Sequence, residues 1–197
     1  MLDGTALSAV VAGGGRVATR KVLGLLDAGA TVHVVAPEVT PQLRDASERN
    51  ASLRITRARF SDEHFGDALF IVAATNDQAV NAQIATEGRA RGRLVNVVDA
   101  PERGNCMTPA VHRAGHVVVA VSADRVPNAA ARIRDRIGRM VDDRYSAAVR
   151  ALFSLRSSLL ERGERARWDA ARNHLLGDDF CERVEAGEFD ARVAEWR

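Results

Sequence analysis

A glycine-rich turn near the N-terminus constrains the fold of this chain more than any other feature. The apolar residues 10–12 lead into Gly13, Gly14 and Gly15, and Ala18 completes the spacing G-x-G-x-x-A. In such turns the first glycine permits a sharp reversal, the second lets the backbone approach a pyrophosphate, and the third small residue lets a helix lie close to a strand. The spacing therefore predicts that Gly13, Gly15 and Ala18 belong to a dinucleotide-binding turn, provided that a strand precedes it and a helix follows it.

The segments around the turn have the required order. Residues 9–12 are predicted to form a buried strand, and residues 31–36 a second strand rich in β-branched side chains. Between them, residues 19–27 have the apolar spacing of a helix, and Gly29 ends it. Strand, glycine turn, helix and strand form a βαβ unit. A phosphate would meet the free N–H groups at the start of its helix.

The end of the second strand indicates which dinucleotide is bound. Pro37 ends the strand and Glu38 follows it, 25 positions after Gly13 (38 − 13). An acidic residue near this point commonly binds the ribose hydroxyls of NAD. No arginine follows immediately that could hold a 2′-phosphate, so the sequence favours NAD over NADP. A solvated charge in a loop or at a helix start is the alternative interpretation of Glu38.

Further apolar segments extend the predicted sheet. A polar helix, a short strand, an apolar strand, a helix and a last strand are predicted over residues 40–50, 53–57, 68–74, 78–91 and 94–98. Thr75 and Asn76 follow the apolar strand, and Asp99 follows the last one. Ligands of such sheets bind at the carboxyl ends of the strands. We therefore expect Thr75 and Asn76 beside a nicotinamide ribose, with the Asp99 carboxylate at the same edge.

The pattern changes after Pro101. A strand, an arginine-rich helix, one or two further helices and a short helical tail are predicted over residues 115–122, 128–141, 146–176 and 187–197. The chain is therefore expected to have an α/β fold, in which a Rossmann-like parallel sheet domain precedes a mainly helical part. Arg132, Arg134 and Arg136 alternate around the arginine-rich helix, so they cannot all face one ligand.

Composition narrows the partners. The net charge of +2 is too small to imply nucleic acid. No apolar stretch approaches the ~18 residues of a membrane span, and the first residues lack the regions of a signal peptide. Cys106 and Cys181 lie far apart and are expected to be free thiols in a cytoplasmic protein. We predict no metal site, because His116 is expected at a strand start and His112 in a preceding turn or helix.

Three motifs in this order resemble those of one family. They are the glycine turn with the following Arg20 and Lys21, the run Ala-Ala-Thr-Asn-Asp over residues 73–77, and the run Asn-Val-Val-Asp-Ala-Pro over residues 96–101. They resemble precorrin-2 dehydrogenase/sirohydrochlorin ferrochelatase, a family also found as the N-terminal part of bacterial siroheme synthase. The resemblance covers essentially the whole chain, because the later strand and the arginine-rich helical region fit the family as well.

The resemblance implies an activity and an organisation. It implies an oxidoreductase that oxidises precorrin-2 to sirohydrochlorin with NAD in siroheme biosynthesis. Many members then insert ferrous iron, which would be the substrate metal of a ferrochelatase. The resemblance also implies a homodimer with an NAD-binding Rossmann domain over residues 1–112, a dimerisation segment over 113–145 and a helical domain over 146–197. The partners expected are thus a tetrapyrrole and a second copy, not nucleic acid or a membrane. Because such a tetrapyrrole bears many carboxylates, arginines of the arginine-rich helix, Arg132, Arg134 and Arg136 among them, are candidates to bind it.

The resemblance also assigns roles to single residues. Asp99 matches the catalytic aspartate of the family, which is implicated in oxidation and in iron insertion. Arg16 and Val17 match turn positions that contact NAD, and Pro37 and Glu38 match contacts at the ribose end. From the residues alone, Asp99 could instead be a turn aspartate before Ala-Pro that caps the backbone.

One loop departs from the family pattern, and two other functions are open. The family often carries S-[ST]-G-G-x-S-P where residues 122–128 read Ser-Ala-Asp-Arg-Val-Pro-Asn. Iron insertion is therefore in question, whereas the dehydrogenase motifs are intact. A non-catalytic NAD-binding regulatory domain, of the type that gates potassium transport, would explain the glycine turn and Glu38 but not residues 96–101. A relative that binds iron or a tetrapyrrole without oxidising it is the third alternative.

Overall fold

The computed structural model describes residues 2–124 and 126–197. The chain divides between Thr108 and Pro109 into two compact units. The prediction of three parts, with boundaries at residues 112 and 145, stays a prediction. Among the described residues, no helix combines the length and the apolar character that crossing a membrane requires.

The first unit is built on a five-stranded parallel sheet with the order β3-β2-β1-β4-β5. Its strands are β1 Ser8–Ala12, β2 Thr31–Val35, β3 Leu53–Thr56, β4 Phe70–Ala73 and β5 Leu94–Val97. Ala12 lies beside Val35 on one side and Ala73 on the other, so three strands end at the same level. The strand order reverses at β1, and ligands of such sheets bind at that point, outside the carboxyl ends of the strands.

Three helices cover this sheet: α1 Arg16–Asp27, α2 Pro41–Arg49 and α3 Gln78–Ala90. Gly29 has a φ of 86°, as expected of the glycine predicted to end α1. Alternate residues of the central strands enter two separate cores, because both faces of the sheet are covered. Val11 and Val72 belong to one core, and Ile71 and Val95 to the other. The predicted Rossmann-like α/β fold is confirmed.

The second unit begins with a β-hairpin and continues as helices. Its elements are β6 Ala110–Ala114, β7 Val117–Val121, α4 Pro127–Gly138, α5 Asp143–Glu161, α6 Arg165–Leu175, α7 Phe180–Glu185 and α8 Phe189–Ala194. The two strands are antiparallel. Helices α5 to α8 share a core around Leu155, Leu159 and Leu175, each at most 2% exposed. Burying one such side chain contributes about 1.5–3 kcal/mol.

The hairpin corrects two predictions. The sequence prediction places His112 in a turn or helix, but it lies within β6, and its Nε2 is 2.7 Å from the carbonyl oxygen of Val141. His116 was expected at a strand start, but it lies in the turn before β7. The prediction was wrong because β6 reads Ala-Val-His-Arg-Ala, in which apolar and polar residues do not alternate as they do in a typical half-buried strand.

The loop between β7 and α4 keeps a backbone conformation that favours glycine. Asp124 has a φ of 27°, the one positive φ among the described residues other than glycine. It stands where the resembling family carries the first of its two loop glycines. Aspartate tolerates this region better than most residues, because its short side chain bonds to the local backbone. Arg125, which stands for the second glycine, lies outside the described residues.

Candidate active site

A cleft of about 720 Å³ opens where β1, β2 and β4 end. It is lined by residues of the glycine turn and of the segments that follow β2, β3 and β4. Gly13, Gly15, Pro37, Glu38, Thr75 and Asn76, six of the residues predicted to bind a cofactor, are in this lining. The chain therefore brings three separate sequence motifs together around one cavity.

The three glycines differ in what a side chain would meet. A Cβ on Gly13 would lie 2.2 Å from the carbonyl oxygen of Ala74, and the φ of Gly13 is 115°. A Cβ on Gly14 would lie 2.1 Å from the carbonyl oxygen of Glu38. A Cβ on Gly15 would meet nothing within 4 Å. Close contacts with the protein backbone thus require glycine at positions 13 and 14, whereas Gly15 leaves the backbone open to the cleft.

The start of α1 has the properties of an anion-binding site. Gly15 is its N-cap, and among the described residues no side chain caps this end of the helix. Its first N–H groups and its dipole therefore favour a phosphate in the cleft. Ala18 is fully buried against the sheet, as predicted for the third small residue, whereas Arg16 and Val17 are exposed. The residues present fit the pyrophosphate of a dinucleotide.

The loop after β2 places an acidic side chain at the cleft. Pro37 and Glu38 are both exposed there. Arg59 and Phe60, from the segment after β3, line the same cleft. The sequence prediction missed these two residues because it considered only the residues directly after Glu38. The pairing of β3 with β2 brings a second segment to this edge.

At the other end of the cleft lies a polar connection between two strands. Thr75 follows β4 and Asp99 follows β5, and these strands are paired. Between them lies Asn81 of α3, whose Nδ2 donates a hydrogen bond to Asp99 Oδ1 at 3.1 Å. Asn76 and Asp99 are exposed. Asp99 is outside the lining of the cleft but is joined to its Thr75 end through Asn81.

Helix α1 also carries the only lysine of the chain. Lys21 is half-buried, and its Nζ donates a hydrogen bond to Thr108 Oγ1. Burial lowers the pKa of Lys21, and the charge of Arg20 acts in the same direction. Burial also raises the pKa of the nearby Cys106 thiol. The two cysteines are free thiols, as predicted.

The arginines that the sequence suggests for substrate carboxylates lie on α4 in the second unit. Arg132 and Arg136 are exposed. Arg134 is bound to its neighbour Asp135, with 2.9 Å between Nε and Oδ1. Contacts between these arginines and a substrate stay a prediction. Among the described residues, no three His, Cys, Asp or Glu side chains are grouped so that they could hold a metal ion.

Comparisons with known proteins agree with this geometry. Residues 1–110 match a family model described as putative NAD(P)-binding. A precorrin-2 dehydrogenase from Priestia megaterium is 34% identical over 157 residues, which are 79% of this chain and 77% of that protein. One from Bacillus subtilis (strain 168) is 31% identical over 148 residues, 75% of this chain and 90% of the relative. The solved structure of SirC, a precorrin-2 dehydrogenase, has 30% identity and a TM-score of 0.77, covering 99% of this chain and 98% of that one.

Longer proteins match as well. A siroheme synthase from Chromobacterium violaceum is 35% identical over 194 residues, which are 94% of this chain but 41% of that protein. The chain thus spans about two fifths of the length of such synthases, and most of the length of the dehydrogenases. With this identity and coverage, the chain belongs to the family of the precorrin-2 dehydrogenases.

Proposed function

We propose that this protein oxidises precorrin-2 to sirohydrochlorin with NAD, as an oxidoreductase of siroheme biosynthesis. One observation carries the proposal: the cofactor cleft and the Asp99 carboxylate lie at the same edge of one sheet and are joined through Asn81. The relatives of similar length are named for this oxidation. A non-catalytic regulatory domain would need the cleft but not the carboxylate.

The residues of the cleft divide the binding of NAD among them. The start of α1 and the open backbone at Gly15 hold the pyrophosphate. Glu38 accepts hydrogen bonds from the hydroxyls of the adenosine ribose. Thr75 and Asn76, which follow β4, would hold the nicotinamide ribose. With NAD bound in this direction, the nicotinamide would lie towards the end of β5, which Asp99 follows.

Asp99 serves as the base of the oxidation. The reaction removes a hydride and a proton from the tetrapyrrole, and bound NAD supplies the hydride acceptor. An ionised carboxylate can accept the proton because both of its oxygens are hydrogen-bond acceptors. Asp99 is exposed, so its second oxygen can reach a substrate while Oδ1 is held by Asn81.

Ferrous iron insertion stays a prediction for this chain. The same carboxylate could accept pyrrole protons as iron enters the macrocycle. The loop over residues 122–128 lacks the family glycines, although Asp124 keeps a left-handed backbone at the first of them. The name siroheme synthase belongs to relatives of which this chain spans about two fifths.

A homodimer is the assembly we expect, through the β6–β7 hairpin. In an antiparallel pair, residues directly opposite each other share a face. Val111 lies opposite Ala120, and Arg113 opposite Val118. All four are exposed, although the two valines are apolar. Helix α4 packs against this hairpin within the same unit, and the exposed valines are left for a second copy to cover. Cytoplasmic localisation stays a prediction.

The deciding experiment supplies purified protein with precorrin-2 and NAD. Formation of NADH together with the sirohydrochlorin spectrum is the expected result. A folded protein that binds NAD but forms neither product would refute the proposed function.

A further inference from the structure

Asn81 is a buried polar residue on the apolar side of α3. Asn81 is 1% exposed, and Ile84 and Ala85, three and four positions later, are also buried. Burying an amide costs free energy unless its donors and acceptor find partners. The partners of Asn81 therefore indicate what the residue is for.

The Asn81 amide is fully hydrogen-bonded. Its Oδ1 accepts from the backbone N–H of Thr75 at 3.1 Å and from the Thr75 hydroxyl at 2.7 Å. Its Nδ2 donates to the carbonyl oxygen of Thr75 and to Asp99 Oδ1, both at 3.1 Å. The amide thus spans the ends of two paired strands.

The backbone of Thr75 fixes which way the amide points. A backbone N–H can only donate and a backbone carbonyl can only accept, so Oδ1 and Nδ2 of Asn81 cannot exchange places. The remaining N–H of Asn81 must therefore point at Asp99. This N–H group donates to Asp99 Oδ1 and so fixes the direction of the Asp99 carboxylate.

We propose that Asn81 is a positioning residue, which holds the Asp99 carboxylate in a fixed direction relative to the cofactor cleft. The inference rests on the proposed function and goes beyond it, because it assigns a role to a residue that does not reach the substrate. Asp99 is exposed and would otherwise rotate freely. A reacting group displaced by about 1 Å can lose roughly a hundredfold in rate.

The test uses Asn81→Asp, a change that keeps the size and shape of the side chain. A carboxylate oxygen still accepts from the Thr75 N–H and hydroxyl, but the group facing Asp99 is no longer an amide donor. A carboxylate in that place repels the Asp99 carboxylate instead of donating to it, so Asp99 loses the contact that fixes its direction. We expect kcat to fall roughly 10- to 100-fold, with the KM for NAD changed less than about threefold.

Asn105→Asp is the matched control. Asn105 also uses its amide to hold β5, since its Oδ1 accepts from Val95 N–H at 2.6 Å and its Nδ2 donates to the carbonyl oxygen of Arg93 at 2.9 Å. Neither bond involves Asp99. The same chemical change there is expected to lower the melting temperature while kcat stays near the wild-type value.

A second comparison separates positioning from general support of the fold. Asn81→Ala is measured in the wild type and in the Asp99→Asn background, with the melting temperature recorded for each protein. We expect the loss of kcat in the wild-type background and almost none in the Asp99→Asn background, because the amide acts through Asp99.

The outcomes are distinct. An equal loss of kcat in both backgrounds, or wild-type kcat in Asn81→Asp, would overturn the role of Asn81 while leaving the proposed function intact. A wild-type protein that does not oxidise precorrin-2 would overturn both.

Discussion

The backbone of Gly13 lies so close to that of Ala74 that a Cβ on Gly13 would be 2.2 Å from the Ala74 carbonyl oxygen. This contact joins the turn after β1 to the end of β4. It makes Gly13 a structural requirement, whereas Gly15, with no atom within 4 Å of its Cβ position, is free to serve the cofactor.

Replacing the two glycines by alanine is therefore expected to have different effects. Gly13→Ala is expected to lower the free energy of unfolding by at least about 2 kcal/mol, because its φ of 115° disfavours a side chain and the backbone must shift. Gly15→Ala is expected to keep the wild-type melting temperature but to weaken NAD binding roughly tenfold or more, because the methyl group occupies the space of the pyrophosphate. Thermal melting and calorimetric NAD titration measure both. Equal destabilisation in the two variants would contradict this division.

Glu38 is expected to set the preference for NAD. Its carboxylate accepts hydrogen bonds from the ribose hydroxyls of NAD and repels the 2′-phosphate of NADP. Glu38→Gln should therefore weaken NAD binding several-fold, strengthen NADP binding and narrow the difference between the two Kd values. Arg59 lines the same cleft and can then bind the phosphate of NADP. In the double variant with Arg59→Ala, the gain in NADP affinity should disappear. Unchanged Kd values for both dinucleotides in Glu38→Gln would exclude Glu38 from the site.

The pH dependence of stability is expected to involve His33 on β2. Burial is the main cause that lowers the pKa of His33 below its ordinary value of 6.5, and the charges of Arg54 and His64 add to it. The unfolded chain binds this proton more readily than the folded chain. The contribution of His33 to the free energy of unfolding is therefore complete above about pH 6.5 and is lost as the pH falls towards the lowered pKa.

Replacing His33 by Gln should flatten that part of the curve of melting temperature against pH. His116→Gln is the control, since His116 is exposed in the other unit. The same slope in His33→Gln and wild type would assign the effect to another group.

The hairpin face predicts the oligomeric state. Val118→Asp places a charge on the exposed face that also holds Val111. If a second copy covers this face, the variant should be a monomer in light scattering after size exclusion, because an unpaired charge in an apolar interface is costly. The wild type should have twice the mass. Equal masses for the two proteins would show that this face is not the interface.

The sheet and the cofactor cleft could be predicted because their signals are local. Apolar runs such as that around Ile71 identify buried strands, and the spacing of glycines that begins at Gly13 identifies the turn. β6 was missed because His112 and Arg113 interrupt its pattern. α7 was not predicted, whereas the equally short α8 lies within the predicted helical tail.

Arg59 and Asn81 could be assigned to the site only with tertiary information. Arg59 reaches the cleft only because β3 pairs with β2, and the pattern of apolar residues does not predict which strands are neighbours. Asn81 did leave a signal, because it is a polar residue three and four positions before the apolar Ile84 and Ala85. Its partners could be identified only after Thr75 and Asp99 were placed on paired strands.

Asp99 is the residue on which the proposed oxidation depends most. Asp99→Ala should lower kcat for precorrin-2 oxidation roughly 10²- to 10⁴-fold, since it removes the base, while the Kd for NAD and the melting temperature stay near their wild-type values. The most direct measurement follows NADH and sirohydrochlorin together in the wild type and in this variant. We expect one NADH per sirohydrochlorin in the wild type and almost no formation of either product in the variant, whereas wild-type turnover by Asp99→Ala would contradict the proposed role of Asp99.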